Sequence, residues 1–176
     1  MVKNARSGFV ARHVMAGGSA ALPAVGEQAP DFTMISHEDK KVSLNDFRGQ
    51  WVVLYFYPKD FTPGCTIEAH NFERDMEKFR ARNAAVLGVS VDTAQSHKDF
   101  CAKEGLNFLL LSDADRTASK AYGSLMALGP LSVSARNTFI VDPSGKIAKV
   151  FQGVKPARHC EEVLAALDEL QKKPVK

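Results

Sequence analysis

The chain has three cysteines, one tryptophan and no long apolar run, and each scarcity narrows what it can be. Three cysteines do not make a stapling framework, so the 176 residues must hold together by burying a core. They suit a reducing compartment, where a thiol is either packing filler or chemistry. No two stand in a C-x2-C pair, the spacing of zinc sites and of dithiol redox motifs. We therefore expect no metal and no organic cofactor. No stretch approaches the roughly 20 apolar residues that span a bilayer, so no membrane partner is expected. A dense Lys/Arg stripe is missing too. The formal charge is only +3, and Lys172 and Lys173 read as a solvated tail, which argues against nucleic acid as a partner.

Acidic residues are absent until Glu27. The stretch before it holds Lys3, Arg6, Arg12 and His13, and its segment Val14–Leu22 contains two glycines and makes a poor secretory h-region. We read residues 1–25 as a disordered N-terminal extension on a cytoplasmic protein. The alternative is an organellar transit peptide. Residues 26–172 read as one domain, since 45% hydrophobic and 24% charged residues are ordinary for a globular chain of this length.

From Gly26 onward strand-like and helix-like blocks alternate. Phe32–Ile35 and Val42–Leu44 form a short pair around the polar turn His37–Lys40. Trp51–Tyr57 is an unbroken apolar and aromatic run, which suits a strand buried on both faces. A helix is predicted from Pro63 to Arg82, with Phe72, Met76 and Phe79 on one face. Ala85–Val91 is a second strand. Thr93–Glu104 is a helix opened by the cap candidates Asp92 and Thr93 and closed at Gly105. Phe108–Leu111 is a third strand, followed by a helix over Arg116–Tyr122. Asn137–Val141 and Ile147–Phe151 flank Pro143-Ser144-Gly145 and read as a hairpin. Arg158–Gln171 is the last helix. Early strand–helix–strand units and a late hairpin describe an α/β fold, a mixed sheet with helices on both faces, as in the thioredoxin-like arrangement and in other small α/β folds that the pattern alone does not separate from it.

The chemically informative segment runs from Tyr57 to Glu68. A buried strand ends, a loop bracketed by Pro58 and Pro63 follows, and a helix begins near Cys65. The first turn of a helix presents unpaired N–H groups and the positive end of its dipole, which favours a thiolate there. A free cysteine, with a pKa of about 8.5, is only a few per cent thiolate at neutral pH. Thr62 carries a hydroxyl able to donate to the sulfur or to a bound oxygen, and to accept in turn. The two prolines stiffen the approach and remove backbone donors. A lone cysteine is more often a small buried hydrophobe; the spacing Pro58-x3-Thr62-x2-Cys65 favours the nucleophile instead.

The segment Pro58-Lys59-Asp60-Phe61-Thr62-Pro63-Gly64-Cys65-Thr66-Ile67-Glu68 resembles the active-site loop of peroxiredoxins. It is most similar to the Q-type, or bacterioferritin-comigratory-protein, subfamily. Further matches are Gly26–Phe32, Leu44–Gly49, Gly88–Asp92 and Arg136–Asp142, so the resemblance runs from about Gly26 to Leu170. It implies a thiol-dependent peroxidase acting on hydrogen peroxide and small organic hydroperoxides. Cys65 would be the peroxidatic thiol, with Thr62 and Pro58 shaping the pocket. Arg136 would complete it, its guanidinium favouring thiolate and meeting charge that builds on the leaving oxygen. Glu68 would orient that arginine or hold the helix start. Without the resemblance, Arg136 reads as a surface strand-end residue and Glu68 as an ordinary acid near a helix N-terminus.

Many Q-type members carry a second cysteine five residues after the first, where this chain has His70, to which we assign no chemistry. Cys101, in the helix after the second strand, matches the resolving position of other Q-type members and is preferred over Cys160. A Cys65–Cys101 disulfide needs Cα atoms within about 7 Å, which predicts local unwinding around both residues. A thioredoxin-like dithiol would then reduce it. The resemblance also favours a monomer. Ser124–Ala135 departs from the family by being apolar and Gly/Pro-containing. Three other readings remain open: a one-cysteine peroxidase with Cys101 as filler, a redox sensor or holdase chaperone on the same thiol, and, weakened by the missing C-x-x-C pair, a disulfide reductase.

Overall fold

The computed structural model describes residues 21–172. The reading of residues 1–25 as an extension or leader therefore falls, up to residue 20, outside the described residues. From Gly26 onward the chain is pinned to the body: Gly26 N–H donates to the Ile147 carbonyl and Ala29 N–H to that of Gly145.

Among the described residues are nine strands and five α-helices, with a 3-10 turn at Leu44–Phe47. They are β1 (Thr33–Ser36), β2 (Lys41–Ser43), β3 (Trp51–Phe56), α1 (Pro63–Arg74), α2 (Met76–Ala81), β4 (Ala84–Ser90), α3 (Ala94–Glu104), β5 (Leu109–Ser112), α4 (Thr117–Ala121), β6 (Leu125–Leu128), β7 (Leu131–Ser134), β8 (Thr138–Val141), β9 (Ile147–Phe151) and α5 (Pro156–Lys172). Seven strands form one sheet in the order β2-β1-β5-β4-β3-β8-β9. β3, β4 and β5 run parallel, while β1 and β8 lie antiparallel to their neighbours β5 and β3. This is the mixed sheet expected from the order of blocks.

The unbroken apolar run of β3 is explained by its alternation. Val53, Tyr55 and Tyr57 face a core shared with α1, α2, α3 and α5, through Phe72, Phe79, Phe100 and Leu167. Val52, Leu54 and Phe56 face a second core with Leu111, Phe139, Ala118 and Tyr122. Both faces are covered, so neither set is polar. Tyr55 and Gly88 are register partners on β3 and β4. A Cβ added at Gly88 would lie 2.6 Å from Leu110 Cδ2 and 2.9 Å from the Tyr55 Oη, so only glycine lets this tyrosine lie across β4.

Two parts differ from expectation. The helix predicted over Pro63–Arg82 is broken at Asp75, whose ψ of 14° leaves the helical range. The Asp75 carboxylate is held by Arg74 and Lys78, and Arg74 draws its pKa down to about 2. Phe72, Met76 and Phe79 keep one apolar face across the break, which hides it from a reading of periodicity. Second, Ser124–Ala135, for which no element was predicted, holds the separate hairpin β6–β7, turning at Gly129 (φ 59°) and Pro130. Ser119 and Ser134 hydroxyls meet at 2.7 Å, and Arg116 Nε donates to the Ser132 carbonyl, fastening the hairpin to α4.

Candidate active site

Helix α1 starts where β3 and its loop end. Thr62 is the N-cap residue and Pro63 the first helical residue, a position where the missing N–H of proline costs nothing. The first bond back along the helix is from Thr66 N–H to the Thr62 carbonyl at 2.9 Å. Cys65 therefore sits in the turn whose N–H groups have no intrahelical acceptor. Its side chain is only 2% exposed, so the loop above it governs access.

Arg136 comes from the other end of the chain. It precedes β8, its carbonyl accepts from Val154 N–H at 2.9 Å, and Asn137 beside it is buried and bonded to Ser124. So anchored, its Nη2 donates to Cys65 Sγ at 3.3 Å. Nη1 lies 3.5 Å from Glu68 Oε2. A Cβ at Gly64 would come within 3.2 Å of Arg136 Nη2, so the glycine before the cysteine leaves the guanidinium its place. Glu68 is 1% exposed, one turn along α1, and burial pushes its carboxyl up to about 7 against the pull of Arg136. Its Oε1 has no partner.

Thr62 differs from expectation in one respect. Its hydroxyl proton goes to the Lys59 carbonyl at 2.8 Å and not to the sulfur. Lone pairs on Oγ1 are left, so Thr62 can still accept a hydrogen bond. Pro58 is half-buried at the start of the same loop.

All three cysteines are free and buried. Cys101 is inside α3, 6% exposed, and burial, with Asp60 adding to it, pushes its thiol up to about 12. Cys160 lies in the first turns of α5, where Sγ touches the Asn71 carbonyl and Asp75; burial pushes it to about 12 as well. Cys160 packs α5 on α1. His70, exposed on α1, meets Glu104 of α3 at 2.7 Å and bridges the two helices.

Sequence reasoning missed three groups. Tyr55 is fully buried with an unpartnered Oη, on the same core as Cys65 and Cys101. His159 is buried with Nε2 2.7 Å from the Thr138 hydroxyl, and burial, then Arg136, lowers it to about 4. Asp60 and His97 form a buried pair at 2.7 Å. No local pattern marks any of them. Asp60, Asp92 and His97 have donor atoms within 4.8 Å of one another, yet Tyr57, Ser90 and Ser96 hydroxyls already occupy the two carboxylates. The cluster fits a hydrogen-bonded hub better than a cation.

Residues 25–150 match the AhpC/TSA family. The chain belongs to that family, among its peroxiredoxins. A relative from Helicobacter pylori, "Putative peroxiredoxin bcp", is 44% identical over 147 residues, which cover 81% of this chain and 97% of the relative. The fold is similar to a cysteine-to-serine mutant of PrxQ from Xylella fastidiosa, with TM-score 0.81 and 35% identity over 85% of this chain and 98% of that one. It is also similar to the bacterioferritin comigratory protein of Xanthomonas campestris, studied for alkyl peroxide reduction. There the TM-score is 0.75 and the identity 34%, covering 78% of this chain and 90% of that one. As a peroxiredoxin the chain is a thiol-dependent peroxidase on a thioredoxin-like fold. No described helix is long and apolar enough to cross a membrane.

Proposed function

We propose that Cys65 attacks the peroxide, that Cys101 resolves the product, and that a thioredoxin-like dithiol closes the cycle. The observation that carries the first step is the Arg136 Nη2 lying 3.3 Å from Cys65 Sγ at the first turn of α1. A guanidinium and the positive end of a helix both favour negative charge on that sulfur. The thiolate attacks the terminal oxygen of ROOH. The S–O bond forms, the O–O bond breaks, and one proton is taken up as ROH leaves and Cys65 becomes a sulfenic acid. Thr62 accepts from the peroxide O–H and aligns it, while Arg136 donates to the oxygen on which charge builds. Pro58 holds the loop around that space.

In the second step the Cys101 sulfur displaces the sulfenic oxygen, which leaves as water with the thiol proton. Burial at about 12 keeps Cys101 protonated while α3 is closed, so this step follows an opening of the helix. The external dithiol then exchanges with the disulfide, restoring both thiols and becoming oxidised. Hydrogen peroxide and small organic hydroperoxides are the substrates, alkyl peroxides included, as for the Xanthomonas campestris relative. The working form is a cytoplasmic monomer built on residues 26–172.

Peroxide consumption with thioredoxin and its reductase tests the scheme. Wild type should turn over and Cys65→Ser should not. Mass spectrometry of peroxide-treated wild type should show a Cys65–Cys101 link. If Cys101→Ser turns over with thioredoxin as fast as wild type, the resolving role fails and the chain is a one-cysteine peroxidase.

A further inference from the structure

Asp60 lies inside the active-site loop, yet the cycle above gives it no task. Its carboxylate is 2% exposed. Tyr57 Oη donates to Oδ1 at 2.6 Å, Ser96 Oγ donates to Oδ2 at 2.8 Å, and His97 Nδ1 meets Oδ2 at 2.7 Å. The other ring nitrogen of His97 lies 3.0 Å from the Leu111 carbonyl, which only accepts, so it carries a proton. The short Nδ1–Oδ2 contact then needs one more proton, shared between ring and carboxyl, which hydrogen-bonds the two whichever of them holds it. The Asp60 backbone N–H donates to Asp92 Oδ2 at 2.9 Å, just before the α3 N-cap, Thr93.

Phe61 continues the same pattern. Its φ of 62° is the left-handed region, which costs a non-glycine residue on the order of 1–2 kcal/mol. The ring rests edge-on against Phe100 at 5.2 Å, with Lys103 Nζ 5.5 Å from its centroid. Ser96, His97, Phe100 and Lys103 all belong to α3, the helix that holds Cys101. His97 and Cys101 are four residues apart and both buried, so they share one face. A strained loop is thus fastened to that helix by a buried Asp60–His97 hydrogen bond and an aromatic contact.

We propose that Asp60 and His97 are positioning residues, a latch that keeps the Cys65 loop docked on α3 and so sets the fate of the sulfenic acid. The proposal rests on Cys101 being the resolving thiol. Two reactions compete at oxidised Cys65. In one, Cys101 forms the S–S bond and water leaves. In the other, a second hydrogen peroxide gives its terminal oxygen to the sulfur; an S–O bond forms, the O–O bond breaks, water leaves, and the sulfur is oxidised by two further electrons to sulfinic acid. The first needs loop and helix to separate. The second needs only the closed pocket. A strong latch lengthens the life of the closed sulfenic acid, and a weak one shortens it.

The test gives reduced protein a pulse of hydrogen peroxide without reductant and reads disulfide against sulfinic acid by intact mass spectrometry. Asp60→Asn and His97→Gln should each raise the peroxide concentration for half sulfinic acid on the order of tenfold, the size expected when a buried polar group loses its hydrogen-bond partner. The double variant should go little further, because both changes undo one contact. Ser96→Ala removes a single bond to Asp60 and should give a smaller shift in the same direction; it carries the test if the others fail to fold. Leu167→Ala, a core change in α5, an element that makes no hydrogen bond to Asp60, Ser96 or His97, should lower thermal stability and leave the ratio unmoved. Unchanged or lowered ratios in the latch variants, or an equal shift in Leu167→Ala, overturn the latch. If wild type forms no Cys65–Cys101 disulfide, the resolving role has failed instead, and the latch with it.

Discussion

Arg136 stands between Cys65 and Glu68, with one guanidinium nitrogen 3.3 Å from the sulfur and the other 3.5 Å from the carboxylate. One cation is shared by two groups that each gain from it as anions. At Glu68 burial outweighs the arginine and pushes the carboxyl toward its neutral form. The guanidinium is then freer to serve the sulfur.

Removing that cation should slow the first chemical step selectively. Arg136→Ala should lower the second-order rate of Cys65 oxidation by about 100- to 1000-fold, as for loss of a preorganised donor. Arg136→Lys keeps the charge and loses the two-pronged reach, so its loss should be smaller, on the order of tenfold. Stopped-flow oxidation of reduced protein by hydrogen peroxide measures both, and equal rates in all three proteins would remove Arg136 from the site.

Glu68 makes stability depend on pH. Its carboxyl titrates near 7 in the folded chain, against an ordinary 4.5. Between those values the folded chain holds a proton that the unfolded chain has lost, so this contribution is full at low pH and disappears as pH rises through 7. Glu68→Gln cannot ionise. Its stability relative to wild type should therefore rise between about pH 5 and pH 8, by up to about 3 kcal/mol. Urea unfolding at the two pH values checks it; a pH-independent difference would place Glu68 in water rather than in the core.

Thr62 is predicted to matter as an acceptor. Thr62→Val keeps the shape and loses the lone pairs, and should slow Cys65 oxidation on the order of tenfold to a hundredfold by removing one aligned hydrogen bond. Thr62→Ser keeps the hydroxyl and should stay close to wild type. Comparing the two by competition for hydrogen peroxide separates acceptor chemistry from loop packing, since a packing role would put Ser below Val.

Gly88→Ala tests the packing beneath the site. The new methyl would collide with Leu110 and with the Tyr55 ring, both fully buried. Overpacking of this kind costs about 1–3 kcal/mol. Thermal unfolding should show that loss, and oxidation of Cys65 should slow with it if Tyr55 is displaced toward the thiol.

How much of this was legible beforehand differs by residue. The Pro58–Glu68 segment carries its own signals locally, so the helix start could be read from order alone and Cys65 stood out as the candidate thiol. Trp51–Tyr57 was legible as a doubly buried strand because both of its faces are apolar. The break at Asp75 was not, because Phe72, Met76 and Phe79 continue one face across it. The β6–β7 hairpin escaped because Met126, Leu128 and Leu131 are apolar yet exposed, the reverse of the pattern that marks a core strand.

By itself the order of residues determined most of the elements, the two-sided core and the candidate for the reactive thiol, because periodicity, caps and loop spacing act within a few residues. Only the folded chain decided which distant groups surround that thiol. Arg136 reaches Cys65 because β8 lies beside β3, and His97 meets Asp60 because parallel pairing of β3, β4 and β5 sets α3 against the loop. A side chain's charge is written in the sequence, but the distance and the burial that give the charge its effect are properties of the packed sheet.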